Sequence, residues 1–193
     1  MDTIIWKAYL GLGFDHILDP DGYDHILFVT ALTAVYTMRD WKKILWLVTA
    51  FTLGHSLTLL LAALDKVAFN PDLIETLIPV TIILTALFQI YRVLLKPEEN
   101  TSASVAYALT TGFGLIHGLG FSNYFKAILG KESSIVQPLL AFNIGVELGQ
   151  LIIVVVSLLL GSALVLGAGV SWKKWTLFIS SVCAFMGIYL LIS

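Results

Sequence analysis

Long apolar stretches alternate with short polar ones along the whole chain. The apolar runs cover residues 23–38, 44–64, 73–95, 104–121, 136–160 and 175–192. A helix that crosses about 30 Å of hydrocarbon needs about 20 residues at 1.5 Å each. The second, third, fifth and sixth runs reach that length. The fourth reaches it if its helix continues through 122–129. The first is short, so its outer end has to be built from polar residues or shielded by what precedes it. Ahead of it, Ile4, Ile5, Tyr9, Leu10 and Phe14 recur at helical spacing, which predicts a short helix lying in the membrane interface. The expected fold is all-α: a polytopic membrane helix bundle of six transmembrane helices plus a short N-terminal interfacial helix. Residues 1–193 form one transmembrane domain, in which 1–20 hold the interfacial helix and the start of a polar loop.

Composition agrees with lipid as the solvent. Of the 193 residues 58% are hydrophobic and 12% charged, too few charges to wet the surface of a soluble fold. The net charge of −2 offers no basic field for nucleic acid. The single cysteine, Cys183, excludes an internal disulfide or a CxxC metal site and reads as a small core residue. The first residues, with Asp2 and only Lys7 as an early cation, do not have the pattern of a cleaved signal peptide.

Charge also sets orientation. Arg39, Lys42 and Lys43 join the first two runs, Arg92 and Lys96 the third and fourth, Lys173 and Lys174 the fifth and sixth. These are seven of the eleven cations, all in alternate connections. The remaining four, Lys7, Lys66, Lys126 and Lys131, lie on the other side. The basic side is expected in the cytoplasm, which puts both termini outside the inner membrane.

The informative residues are ionisable groups in or beside the apolar runs: Asp24 and His25 in the first, His55 in the second, His117 in the fourth, Glu147 in the fifth, and His16 just ahead. A charge at mid-bilayer costs roughly 2.5 kcal/mol or more, so such groups face the bundle interior and find partners. Counted from the run ends, His25, His55, His117 and Glu147 sit roughly 4 to 16 Å below the outer surface, in helices of alternating direction. Asn143, Glu147 and Gln150 form one stripe. Gly114 and Gly118 bracket His117, and Gly145 and Gly149 bracket Glu147. Both Gly-xxx-Gly pairs permit close helix approach in lipid, so the fourth and fifth runs are expected to touch and bring His117 near Glu147.

Several imidazoles with one or two carboxylates suit a divalent transition metal such as zinc, nickel or cobalt. Asp24 beside His25 is placed to ligate or to orient its neighbour. Taken singly, a histidine within a membrane is more often a hydrogen-bonding group between helices than a ligand, and Glu147 also reads as a protonated acid bonded to Asn143 or Gln150. The predicted metal set is His16, Asp24, His25, His55, His117 and Glu147. The segment Asp19-Pro20-Asp21-Gly22 has turn chemistry and lacks the rest of a calcium loop's ligands.

The segments Gly13-Phe14-Asp15-His16-Ile17-Leu18, Gly22-Tyr23-Asp24-His25-Ile26-Leu27-Phe28, Phe51-Thr52-Leu53-Gly54-His55-Ser56-Leu57-Thr58-Leu59, Phe113-Gly114-Leu115-Ile116-His117-Gly118-Leu119-Gly120-Phe121 and Phe142-Asn143-Ile144-Gly145-Val146-Glu147-Leu148-Gly149-Gln150, with Glu75, resemble the HupE/UreJ family of bacterial membrane proteins. The resemblance runs in order from residue 13 to 151. It implies a six-helix-type membrane protein associated with nickel or related divalent metals, often described as a permease. The family's His…Asp-His motif falls on His16, Asp24 and His25, with seven residues between His16 and Asp24 where the nickel-permease branch typically has five. The chain therefore looks more like the less characterised branch.

The reading that follows is a divalent transition-metal transporter or permease with its site in the outer half of the bundle, its partners being the bilayer and the ion. Thr81, Thr85, Gln89 and Arg92 form a stripe down the third run, and Thr110 and Thr111 lie on the fourth; these would line the inner half. The alternatives are an intramembrane zinc-dependent hydrolase, in which histidines, an acid and Ser56 activate water, and a non-catalytic metal-binding accessory protein.

Overall fold

A computed structural model describes residues 3–95, 103–130, 132 and 134–193. Among them there are seven α-helices and no strand: α1 (Thr3–Leu18), α2 (Asp24–Thr33), α3 (Trp41–Ala63), α4 (Pro71–Leu95), α5 (Ala103–Leu129), α6 (Val136–Gly167) and α7 (Trp172–Ile192). Lys96 and Lys131, counted above for orientation, lie outside the described residues.

Four helical stretches are long and apolar enough to cross a membrane: Met38–Ala63, Pro71–Leu95, Val136–Gly167 and Trp172–Ile192. Helix α5 has the length but interleaves Thr110, Thr111, His117, Ser122 and Asn123 with its apolar residues. The first apolar run gives only the ten residues of α2, half of what a crossing needs. Outward-facing positions are apolar, among them Leu53, Leu57, Leu84, Leu148, Val155, Leu159, Phe178 and Phe185. Such a girdle requires lipid or protein to cover it.

Three helix pairs organise the bundle. Gly114 abuts the carbonyl of Phe51, Gly54 the carbonyl of Thr111, and Gly118 the backbone of His55, so α3 and α5 run side by side in the same direction. Gly13 abuts Phe142, Gly145 abuts Leu10, and Gly149 abuts Ile17, so α1 and α6 do likewise. Helix α7 returns against α4, with Gly187 over Ile82, Ile83 and Pro79 and Cys183 and Ala184 packed with Ala86. Two expectations change. Helix α1 is packed lengthwise on α6 and has the contacts of a bundle helix, not of one lying apart. Gly114 and Gly118 of α5 face α3, and Gly145 and Gly149 of α6 face α1, so the two pairs do not face each other; α5 and α6 meet through rings, with Phe121 and Phe142 stacked at 5.1 Å.

Helix α2 stays short because other helices complete it. The last carbonyls of a helix have no internal partners, and hydrocarbon offers none. The carbonyl of Leu32 accepts from Gln89 Nε2 (3.0 Å), that of Ala34 from Thr176 Oγ1 (2.8 Å) and that of Val35 from Trp172 Nε1 (3.3 Å). The chain then turns sharply at Thr37, where Thr37 and Asp40 cap each other reciprocally, and α3 begins. These contacts gather Arg39, Lys42, Lys43, Arg92, Lys173 and Lys174 at one end of the bundle, hereafter the basic end. At the opposite end the loop after α3 is tied to α5 by an ion pair between Asp65 and Lys126.

Candidate metal centre

Four helices deliver the four histidines to one place. His16 comes from the last turn of α1, His25 from the first turn of α2, His55 from α3 and His117 from α5. The ring centroids of His16 and His25 are 4.7 Å apart, His25 and His117 5.0 Å, His16 and His55 5.9 Å, and His25 and His55 6.1 Å. His16, His25 and His55 each offer one donor atom within 4.8 Å of the others, and so do Asp24, His25 and His117. His25 belongs to both groups. The cluster is walled by phenylalanines: Phe121 against His16, Phe142 against His55, and Phe28 and Phe51 against His117.

Hydrogen bonds set out which ring nitrogens are engaged. The Thr81 hydroxyl lies 2.7 Å from the carbonyl of Ile78 and 2.9 Å from His117 Nε2, and its one proton serves one of the two. With the Thr81 proton on Ile78, His117 carries its own proton on Nε2 and presents a lone pair at Nδ1, 3.7 Å from Asp24 Oδ2, which is the tautomer that can ligate. Asp24 Oδ1 accepts from His25 Nδ1 at 3.2 Å, which leaves the lone pair of His25 at Nε2. This assignment fits the network. Among the described residues, five buried ring nitrogens have no hydrogen-bond partner: His16 Nε2, His25 Nε2, both of His55, and His117 Nδ1. Buried polar atoms are nearly always paired, so this concentration asks for a missing partner. A cation is the partner that several convergent lone pairs and a carboxylate share, and imidazole with carboxylate suits divalent transition metals. A carboxylate holding the far nitrogen of a ligating histidine is the usual way to orient such a ligand.

Glu147 stands apart from both groups: its Oε1 accepts from Thr49 Oγ1 at 2.6 Å. Its stripe faces α3, for Gln150 Nε2 lies 3.4 Å from Thr52 Oγ1, while Asn143 Nδ2 donates to its own helix at Leu139. Ser56 donates to the carbonyl of Thr52, and Glu75 is exposed. Asp19 accepts from the backbone N–H of Asp21 (2.9 Å) in a turn, as its sequence chemistry suggests. Sequence reasoning did not assign Thr81 to the site. The signal was its place at the head of the stripe through Thr85 and Gln89, at i and i+4 on the interior face of α4.

A cavity of about 600 Å³ opens to the surface beside the cluster, lined by Asp15, His16, Asp19, Pro20, Phe121 and Tyr124 among others. It gives His16 an approach flanked by two carboxylates.

The chain matches the model of the HupE / UreJ protein family over residues 2–192. It belongs to this family. No curated protein and no solved structure matches it. With its apolar helices this HupE/UreJ protein is a membrane protein. Four of the motif segments that carry the resemblance contribute histidines to the cluster, while the fifth, around Glu147, builds the seam between α3 and α6.

Proposed function

We propose that this HupE/UreJ protein is a permease for a divalent transition metal of the nickel, cobalt or zinc type, bound as substrate by His16, Asp24, His25, His55 and His117. One observation carries the reading: five unpartnered, buried imidazole nitrogens converge on one another beside a carboxylate. The cavity at Asp15 and Asp19 supplies the outer approach, where carboxylates raise the local cation concentration.

The same reading places six crossings in the inner membrane as one domain, with both termini outside and the basic end in the cytoplasm. The first crossing is then discontinuous. Helix α1 descends beside α6, the chain breaks at 19–23, and α2 carries it to the basic end. Unwound backbone at membrane depth is tolerated where it lines a water-filled cavity, and ions in transporters bind at such breaks. His16 and His25 flank this one. From the cluster, Thr81 and Thr85 continue inward, both buried on α4. Gln89 on the same stripe holds the carbonyl of Leu32, so it is part of the fold, and Thr85 is the cleaner probe of a path.

The test is uptake of radioactive nickel, cobalt and zinc into proteoliposomes of the purified protein. Wild type should accumulate one of them above empty liposomes. His117→Ala should abolish uptake and binding together, and Thr85→Leu should slow uptake while leaving bound metal unchanged. Tightly held stoichiometric metal with no uptake would overturn the permease. It would favour the second reading, a metal-dependent hydrolase in which three imidazoles hold zinc and the outer cavity admits water and substrate.

A further inference from the structure

The basic end holds a second cavity, which has Thr85 in its wall. It encloses about 420 Å³ between α2, α3, α4 and α5, and its walls are almost wholly apolar, with Leu32, Leu84, Phe88, Leu109 and Phe113 contributing. Leu84, Leu87 and Leu109 at its margin are about half exposed, on the girdle that faces lipid. The opening is therefore sideways, into hydrocarbon. Among the described residues, one ionised group lines it. The Arg92 guanidinium lies 5.9 Å from the ring centroids of both Tyr36 and Phe88 and donates to Gln89 Oε1 at 3.3 Å. None of these three partners is charged. They hold the guanidinium half-buried in the last turn of α4, where a helix end meets the headgroup layer, and leave its charge uncompensated by them.

An arginine at this side mouth repels a metal cation, so an ion that passes Thr85 leaves toward the cytoplasm and not through the lateral opening. The mouth suits an anion joined to an apolar chain. We infer that the cavity is a binding site for an anionic phospholipid of the surrounding leaflet, its phosphate on Arg92 and one acyl chain laid between Leu84, Phe88, Leu109 and Phe113. Arginine is suited to phosphate because its planar fork bonds two oxygens at once. Arg39, Lys42 and Lys43 at the same end add to the attraction for anionic headgroups. The site shares Thr85 with the proposed ion path but has none of the cluster's histidines in its wall, and lipid binding does not depend on which metal the cluster holds.

The experiment is native mass spectrometry of the full-length protein, delipidated in detergent and titrated with dioleoyl phosphatidylglycerol or dioleoyl phosphatidylcholine. Wild type should hold one phosphatidylglycerol per chain in clear preference to phosphatidylcholine. Arg92→Gln should bind phosphatidylglycerol about tenfold more weakly, or ~1.4 kcal/mol, and so erase the preference; Arg92→Lys should keep part of it. Leu109→Trp, which fills the cavity and leaves the charge, should weaken both lipids. Zinc retained by each variant shows that the bundle is folded and should equal wild type. If the metal reading itself fails and no variant holds zinc, circular dichroism melting replaces that control and the lipid result stands by itself. Equal binding of the two lipids by wild type, or a preference that survives Arg92→Gln, would overturn the proposal.

Discussion

Thr81 Oγ1 and His117 Nε2 share a hydrogen bond across the interface of α4 and α5, at 2.9 Å; when the Thr81 proton goes to Ile78, the imidazole is the donor. A hydroxyl with no ligand role of its own then decides which nitrogen of His117 keeps its lone pair. Thr81→Val removes the acceptor while keeping the shape. The Nε2 proton is then unpartnered, and the ring gains by moving it to Nδ1 against Asp24, which consumes the lone pair meant for the ion. Metal affinity should fall about 10- to 100-fold, the usual cost of losing an orienting partner, and Thr81→Ser should restore it. Competition against a chromophoric chelator measures this. Equal affinity in Thr81→Val would mean that the bond only packs the helices.

His55 separates a ligand from a structural histidine. Neither of its nitrogens has a partner and it is fully buried, so without an ion it is a burden on the fold. His55→Leu should leave the metal-free protein as stable as wild type or more so. It should also abolish the rise in melting temperature that metal gives wild type, a rise expected to correspond to about 2.7 kcal/mol at a metal concentration a hundredfold above Kd. Thermal unfolding with and without chelator is the measurement. Marked destabilisation of the metal-free variant would make His55 a structural group.

Much of this was legible in the sequence, and the parts that were not share a cause. Run lengths located the long helices, and the cost of burying His55 and His117 in apolar runs marked them as interior. Helix partners were not legible. Gly-xxx-Gly says that a backbone approaches closely and does not say whose, so Gly114 was matched with Gly145 when each faces a different helix. Glu147 shares a depth range with the histidines, but depth is one coordinate of three, and the stripe it leads turns toward Thr49. The shortness of α2 depends on bonds from Gln89, Trp172 and Thr176, residues 57 to 142 positions away, which no local pattern encodes.

Glu147 offers a check on that geometry. With Thr49 as its partner and no place in either donor group, Glu147→Gln should leave metal stoichiometry and affinity as in wild type. It keeps an acceptor oxygen for Thr49, so the melting temperature should move little. Thr49→Val strips the carboxyl of its partner and should destabilise by about 1 kcal/mol. Loss of metal in Glu147→Gln, measured by elemental analysis of purified protein, would return Glu147 to the ligand set.

The glycine contacts of α3 and α5 make the last prediction. A side chain at Gly114 would meet the Phe51 backbone, whereas Gly112, two residues earlier on the same helix, has nothing within 4 Å of where its Cβ would stand. Close approach in lipid rests on van der Waals packing and small residues, because hydrocarbon supplies no hydrophobic drive between helices. Gly114→Leu must therefore push α5 away from α3, and with it His117 from His25 and Asp24. The protein should lose bound metal and most of its folded yield in detergent. Gly112→Leu projects into open space and gains helix propensity, by roughly 1 kcal/mol over glycine, so yield and metal should match or exceed wild type. Size-exclusion profiles with metal content across the peak report both outcomes. Similar behaviour of the two variants would mean that α3 and α5 do not pack through Gly54, Gly114 and Gly118, and the histidine cluster, which hangs on that contact, would go with it.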